Sequence, residues 1–226
     1  MKRSIALVTF ASMFCALAAG TALAEKAGVV ENDVYTDTEY RFSFTVPTGW
    51  SAKIKDAKQV LRVALMQTSP VPPSHFQGEL RDYMQIPTMV VIVDTTSIGV
   101  DQFIDNLLDN NYKSKQKKGL LRYLDLIAKP HEILKRKDAT FQGQKTTVVE
   151  VRQPYSMEVS ERGSDRASIV NDFRTGSMFF TVRDGKMLVI HIICEYQTSS
   201  AVMQAFETTL NSLKFLDAPK GAETPR

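Results

Sequence analysis

The sequence predicts an α+β fold in which one sheet-rich unit carries two helices. Apolar and polar residues alternate through 40–46, which is the period of a half-buried strand. Asp184-Gly185 stands between two apolar segments, and an Asp-Gly pair favours a two-residue hairpin turn. Apolar residues recur at helical spacing in 100–112 and again in 202–213. Together these patterns favour a strand-rich chain with one helix in its middle and one at its end.

The predicted strands follow one another along the chain. Pro47-Thr48-Gly49 ends the first, because proline lacks a backbone donor and glycine permits turn dihedrals. The segments 88–95 and 186–196 are apolar on both faces, which is typical of strands covered on both sides. We therefore expect 186–196 to be a central strand. The full set of predicted strands is 40–46, 50–56, 60–67, 88–95, 133–137, 146–152, 177–183 and 186–196.

The first predicted helix has end signals that match the helix dipole. Ser97 is its expected cap, and Asp101 and Asp105 lie toward its start. Four lysines and then Gly119 follow at its end. The second helix is predicted to start near residue 198 or 199, and the segment 120–130 fits either a helix or a strand.

Two stretches read as excursions from this unit. Residues 69–87 contain four prolines and predict a long irregular loop, which is either a site of function or a plain surface loop. Residues 154–175 are polar and predict a second exposed excursion. Residues 217–226 predict a disordered tail.

Residues 1–24 have the pattern of a secretory signal peptide. Lys2 and Arg3 precede a mostly apolar stretch, and Ala22-Leu23-Ala24 fits the small-x-small rule for cleavage after Ala24. An uncleaved anchor is the alternative, although the apolar stretch is shorter than the roughly 20 residues of a span. A lipoprotein site at Cys15 is disfavoured by the bulky Phe14 before it.

Cleavage would change the composition that decides which partners fit. The chain of 226 residues has 28 basic and 25 acidic residues, and losing Lys2 and Arg3 lowers the net charge from +3 to +1. That balance gives no support to nucleic-acid binding. Cleavage would also remove Cys15, so Cys194 would be the remaining cysteine and no intrachain disulfide could form. The core must then depend on apolar burial.

Candidate catalytic and metal-binding residues are few. His75, His131 and His191 are far apart in sequence and form no ligand motif, so we expect no metal and no cofactor. Cys194 is three positions from His191 on a strand, so the two face opposite sides and cannot form a nucleophile–base pair. Cys194 is predicted to be a buried core residue, and His191 a satisfied, partly buried histidine under a helix. The sequence predicts no catalytic residue.

A run of lysines is the densest charge cluster, and it consists of Lys113, Lys115, Lys117 and Lys118. It has two interpretations. It can be a solvated helix end that complements the dipole, or it can contact an anionic surface such as lipid headgroups or an acidic polymer.

The order of elements resembles the PsbP-like group, which includes DcrB-related proteins and the eukaryotic Ran-binding import factor. The resemblance covers roughly 33–216. It rests on Tyr40-x-Phe42-x-Phe44-x-Val46-Pro47-x-Gly49-Trp50, on Val100-Asp101-Gln102-Phe103, and on Phe206-x-x-x-Leu210-x-Ser212-x-Lys214-Phe215. It implies an α/β/α sandwich with a mostly antiparallel central sheet. It also implies a non-catalytic binding role, as in photosystem subunits and a GTPase-binding factor.

We therefore expect a signal peptide (1–24), a polar leader (25–32), one domain (33–216) and a tail. The expected function is that of an exported, non-enzymatic binding or accessory protein of the cell envelope, in the periplasm or outside the cell, with an unidentified protein partner. The alternatives are peripheral attachment to a membrane or anionic polymer through the lysine run, and an unrecognised enzyme.

Overall fold

The computed structural model describes residues 25–69, 86–108, 132–160, 167–195 and 199–216. The predictions for 1–24, 120–130 and 217–226 fall outside these ranges and stay predictions. The elements within the ranges are β1 (Gly28–Glu31), β2 (Val34–Asp37), β3 (Phe42–Thr45), β4 (Trp50–Ile54), β5 (Leu61–Gln67), β6 (Thr88–Thr95), α1 (Val100–Leu108), β7 (Glu132–Phe141), β8 (Gln144–Ser160), β9 (Ala167–Arg183), β10 (Lys186–Glu195), α2 (Ser199–Ser212) and β11 (Lys214–Phe215).

The described strands form two antiparallel sheets. The large sheet has the order β4-β5-β6-β10-β9-β8-β7, and the small sheet has the order β1-β2-β3-β11. The α+β class predicted from the sequence and the mostly antiparallel sheet implied by the family resemblance are confirmed. β10 lies at the centre of the large sheet, as its apolar character on both faces predicts.

Alternate residues of β10 supply two separate cores, one on each face of the large sheet. Leu188, Ile190 and Ile192 belong to the first core, together with residues of the small sheet and α2. Met187 and Val189 belong to the second core, together with Val100, Phe103 and Ile104 of α1 and their neighbours. α1 and α2 therefore pack on opposite faces, and the small sheet shares one face with α2.

The turn between β9 and β10 has the predicted form. Asp184 and Gly185 have φ values of 50° and 70°. Positive φ at both central residues is the geometry of a type I′ turn, whose twist matches the strands it joins.

The polar leader predicted for 25–32 is wrong, since Gly28–Glu31 form β1 and pair with β2. Gly28 permits this pairing, because a Cβ there would lie 2.2 Å from the carbonyl oxygen of Thr36. The predicted cap at Ser97 is also wrong. α1 begins at Val100, and the Phe103 N–H donates to the carbonyl of Gly99, which places the cap at Gly99.

Two acidic residues of α1 tie the helix to the large sheet by ion pairs. Asp101 accepts hydrogen bonds from Arg136 of β7 and Lys145 of β8, and Asp105 accepts one from Arg136. The hydrogen bond from Lys145 is the main cause that lowers the pKa of Asp101. The predicted acidic helix start therefore acts on neighbouring strands as well as on the helix dipole.

A buried ion pair joins the two sheets. Arg62 of β5 and Asp37 of β2 are both fully buried, and Arg62 Nε donates to Asp37 Oδ2 at 2.8 Å. β5 has an irregularity in its pairing between Leu61 and Val63. Leu61 lies in the second core and Val63 in the first, so the usual alternation is reset there. The reset allows Arg62 to meet the small sheet.

The remaining hydrogen-bond capacity of this ion pair is used by its surroundings. Asp37 accepts hydrogen bonds from the Tyr35 hydroxyl and from the backbone N–H groups of Glu39 and Tyr40. Arg62 also donates to Glu39 Oε2 at 2.9 Å and to three backbone carbonyls, those of Ala27, Ala57 and Gln59. Burial alone would lower the pKa of Arg62, but the hydrogen bonds and charge of Asp37, aided by Glu39, raise it overall.

The substitution Asp37→Asn should destabilise the fold by about 3 kcal/mol, because it leaves a buried guanidinium without its counter-charge. Urea denaturation gives the free energy of unfolding. The matched control is Asp56→Asn, which breaks the exposed ion pair with Lys26 and should cost under about 1 kcal/mol. Equal losses in the two variants would contradict a central role for the buried pair.

Candidate functional site

Several residues singled out from the sequence lie outside the described residues. They are Lys113, Lys115, Lys117, Lys118, His75 and His131, and most of the 69–87 segment is also outside. Within the part of the chain that the structure describes, no cluster of three or more histidine, cysteine or acidic side chains could hold a metal ion. Among the described helices, none combines the length and apolar character needed to cross a membrane.

His191 is buried more completely than the sequence predicts. His191 is 4% exposed, and it is paired with Val90 and Met178 on the neighbouring strands. The Nε2 atom has no hydrogen-bond partner among the described residues, so the expectation of a satisfied histidine is wrong for this atom. Desolvation lowers the pKa of His191 to about 3, which keeps the ring neutral.

Cys194 lies in the first core and is 6% exposed, as predicted for a core residue. His191 has the alternation of Met187 and Val189, which belong to the second core. The two side chains are therefore on opposite faces of β10, and this residue pair offers no nucleophile with an adjacent base.

The 154–175 excursion is a paired β-ribbon over the residues that the structure describes, so the loop interpretation is wrong there. β8 and β9 pair continuously out to Ser160 and Ala167. The described pairing of β7 with β8 runs from Phe141 to Glu132, which is paired with Arg152. The described pairing of β10 with β9 runs as far as Glu195, which is paired with Arg174. We call residues 154–160 and 167–173 the arm. Seven residue pairs give it a length of roughly 20 Å.

The arm presents apolar side chains to solvent. Ile169 is 72% exposed and Phe173 is 43% exposed, and both lie on the same face of β9 because they are four positions apart. The guanidinium carbon of Arg152 lies over the Phe173 ring, 4.7 Å from the ring centroid. The arm residues whose burial the structure describes belong to neither core, and they are Pro154, Ser156, Ile169, Asn171 and Phe173.

A signal for the arm exists in the sequence. Tyr155, Met157 and Val159 alternate with Ser156, Glu158 and Ser160, which is the period of a strand. Serines and charged residues on the other side of this alternation make the stretch look like a loop. Pairing between the two segments satisfies the backbone groups on their facing edges.

A cleft of about 320 Å³ lies where the small sheet meets the β9–β10 turn. Its lining joins four segments that are distant in the sequence: the turn before β3, the strand β6, the β9–β10 hairpin and β11. The polar and aromatic lining residues are Glu39, Tyr40, Arg41, Phe42, Arg183, Asp184, Lys186 and Phe215. Sequence reasoning missed this site, because no local motif links these positions.

One wall of the cleft is built on the buried ion pair. Asp37 accepts hydrogen bonds from the backbone N–H groups of Glu39 and Tyr40, and its carbonyl accepts one from Arg41 N–H at 3.0 Å. Arg41 has a positive φ of 56°, which costs free energy in a residue other than glycine. The Arg62 guanidinium lies 4.5 Å from the Tyr40 ring centroid. The turn that carries these residues is therefore held in place from the buried side.

Comparison with known proteins finds similarity to several solved structures. No family model matches the chain, and no curated protein matches it. Cyanobacterial PsbP (CyanoP) from Synechocystis has a TM-score of 0.44 and 16% identity, over 87% of this chain and 95% of that one. LpqN, involved in cell envelope biogenesis of Mycobacterium tuberculosis, has a TM-score of 0.47 and 13% identity, over 85% and 91%.

The Ran-binding protein Mog1p of Saccharomyces cerevisiae has a TM-score of 0.46 and 12% identity, over 84% of this chain and 97% of that one. These structures include the PsbP and Ran-binding proteins of the group that the sequence motifs resemble. With identities of at most 16% and TM-scores below 0.5, no residue role and no activity is carried over to this chain.

The burial of His191 predicts a stability that depends on pH. The ordinary pKa is 6.5 and the folded value is about 3, so the unfolded chain binds a proton that the folded chain rejects. Wild-type stability should fall as the pH drops from about 6.5 toward 3, by at most about 1.4 kcal/mol per pH unit from this group.

The variant His191→Leu should lose this contribution. Urea denaturation at several pH values gives the difference in unfolding free energy between the variant and wild type. That difference should shift in favour of the variant below pH 6.5 and stay constant above it. A difference that is flat across the whole acidic range would contradict the buried neutral histidine.

Proposed function

We propose that the protein is an exported, non-enzymatic binding or accessory protein of the cell envelope, and that the arm makes its contacts with a partner protein. The observation that carries this proposal is the arm itself. It extends beyond the described residues of β7 and β10 and exposes Ile169 and Phe173, and neither of these two side chains belongs to a core. Exposed apolar side chains on a projecting element are typical of interaction sites.

The backbone of the arm supports the same role. Over its seven residue pairs, β8 and β9 have each other as neighbours among the described strands. We infer that the outer edges of the arm accept an added strand, which is a recurring way of binding an extended peptide.

The non-enzymatic part of the proposal is supported by the chemistry of the described residues. His191 and Cys194 are on opposite faces of one strand, and both are buried. We also propose the α/β/α sandwich as the finer fold, since α1 and α2 pack on opposite faces of the large sheet.

An arm-shortened variant tests the binding role. In it, Asn-Gly replaces residues 155–172 and closes the hairpin after the Pro154–Phe173 pair, as the sequence preference of a two-residue turn allows. Affinity capture from an envelope fraction should recover a specific partner with wild type and lose it with the variant. Thermal unfolding should change little, because the described arm residues lie outside both cores.

Two point variants separate the arm surface from general stickiness. Ile169→Ser should reduce partner recovery, since it removes an apolar side chain that is 72% exposed on the arm. Val29→Ser makes the same kind of change on β1, at a residue that is 46% exposed, and should leave recovery unchanged. Partner recovery that survives shortening of the arm would overturn the proposed role of the arm.

Export predicts a defined mature N-terminus. Expression of the full chain in a bacterial host should give a protein in the periplasmic fraction that begins at Glu25, because cleavage is expected after Ala24. Intact-mass measurement and N-terminal peptide sequencing check this. The control Ala22→Arg/Ala24→Arg disrupts the small-x-small pattern and should retain the full-length mass. A cytoplasmic protein with residues 1–24 intact would contradict export.

A further inference from the structure

The cleft beside the β9–β10 turn has more positive than negative charge available to a ligand. Arg41, Arg183 and Lys186 line it, against Glu39 and Asp184. Glu39 is already engaged, since its Oε2 atom accepts a hydrogen bond from Arg62 at 2.9 Å. Asp184 is 87% exposed and lies 3.4 Å from Arg183 Nε, so solvent weakens its interaction with the guanidinium.

Two guanidinium groups converge on one neutral acceptor. Arg41 Nη2 donates to the Leu216 carbonyl at 2.7 Å, and Arg183 Nη2 donates to the same oxygen at 3.4 Å. A neutral carbonyl satisfies donors but does not cancel their charge. The described structure therefore brings two cations together at the cleft without a buried carboxylate between them.

Arg183 also has a hydrogen-bond donor that none of the described residues accepts from. Its Nη1 atom is buried and has no hydrogen-bond partner among the described residues. An unpaired buried donor costs free energy, and an acceptor brought by a ligand would recover it after a small rotation of the guanidinium. Arg183 lines the cleft, and its side chain is one quarter exposed.

Aromatic rings line the same cleft. The Phe215 ring centroid lies 5.0 Å from the Arg183 guanidinium carbon, and the Tyr40 ring centroid lies 5.5 Å from Lys186 Nζ. Burial, followed by the charge of Glu39, raises the pKa of Tyr40, so its hydroxyl stays protonated. An apolar wall beside a few convergent polar groups is the usual composition of a small-molecule site, and 320 Å³ is within the usual size range.

We propose that this cleft binds a small organic oxyanion. Its carboxylate or phosphate group is held by Arg183, Lys186 and Arg41, and its apolar part packs against Tyr40 and Phe215. This site is separate from the arm and does not depend on the partner protein proposed above. It makes the protein a binder of a small anionic compound in addition to its role in protein contacts.

Nuclear magnetic resonance titration of the isotope-labelled protein tests the proposal. The probes are phenyl phosphate, benzoate, inorganic phosphate and the neutral benzyl alcohol. Phenyl phosphate or benzoate should shift the Arg183 Nε–H and Lys186 backbone signals in a saturable way, and the stronger of the two identifies the anionic group. Inorganic phosphate should bind more weakly because it lacks the apolar part, and benzyl alcohol should shift neither signal.

Charge-neutralising variants give the control. Lys186→Gln should weaken binding of the stronger probe by about tenfold, the value of one charge-assisted hydrogen bond. Lys53→Gln removes a positive charge from an exposed position on β4 and should leave affinity unchanged. Arg183→Gln should also weaken binding, and circular dichroism reports whether it folds.

Three results would overturn the site. They are equal affinity of Lys186→Gln and wild type, shifts of the same size with benzyl alcohol, and shifts spread over surface lysines with no saturation. Each is separable from the arm, because loss of partner capture on arm shortening is measured on a different surface of the same chain.

Discussion

The ion pair between Arg62 and Asp37 is the interaction on which the relation of the two sheets depends. It is fully buried, so it is stabilising only while every donor and acceptor around it is satisfied. The irregularity in β5 places Arg62 toward the small sheet, and Asp37 in turn orders the backbone that leads into β3. A hydrophobic contact has no directional partners, so it would not fix the position of one sheet relative to the other. The charged pair has many directional hydrogen-bond partners, which favour one arrangement of the two sheets.

The arm and the cleft use the fold in opposite ways. The cleft is supported from the buried side, since its Tyr40 wall packs against Arg62 and its other wall is the β9–β10 turn. The arm continues β8 and β9 beyond the described residues of β7 and β10, and it exposes Ile169 and Phe173. Binding of a small anion suits the first kind of surface, and contact with a second protein suits the other.

Much of the fold could be predicted because it follows from local periodicity. The strands β6 and β10, the Asp184-Gly185 turn and the start of α2 each have a pattern within a few residues. The buried ion pair of Arg62 could not be predicted, since a charged residue in an apolar strand is expected to face solvent. The strand pairing of the arm could not be predicted either, because its polar residues are also typical of a loop. The cleft brings Tyr40, Lys186 and Phe215 together from distant parts of the chain, and no spacing rule connects them.

The pairing of β6 with β10 has a consequence for how the protein folds. The hairpins β4-β5-β6 and β7-β8-β9-β10 each join strands that are close in the chain, so each can form early. The seam between them joins Thr88–Thr95 with Lys186–Glu195, and β3 acquires β11 from the end of the described chain. Closing such distant contacts carries a chain-entropy cost that local contacts do not. We therefore expect the two halves of the large sheet to meet after the local hairpins have formed.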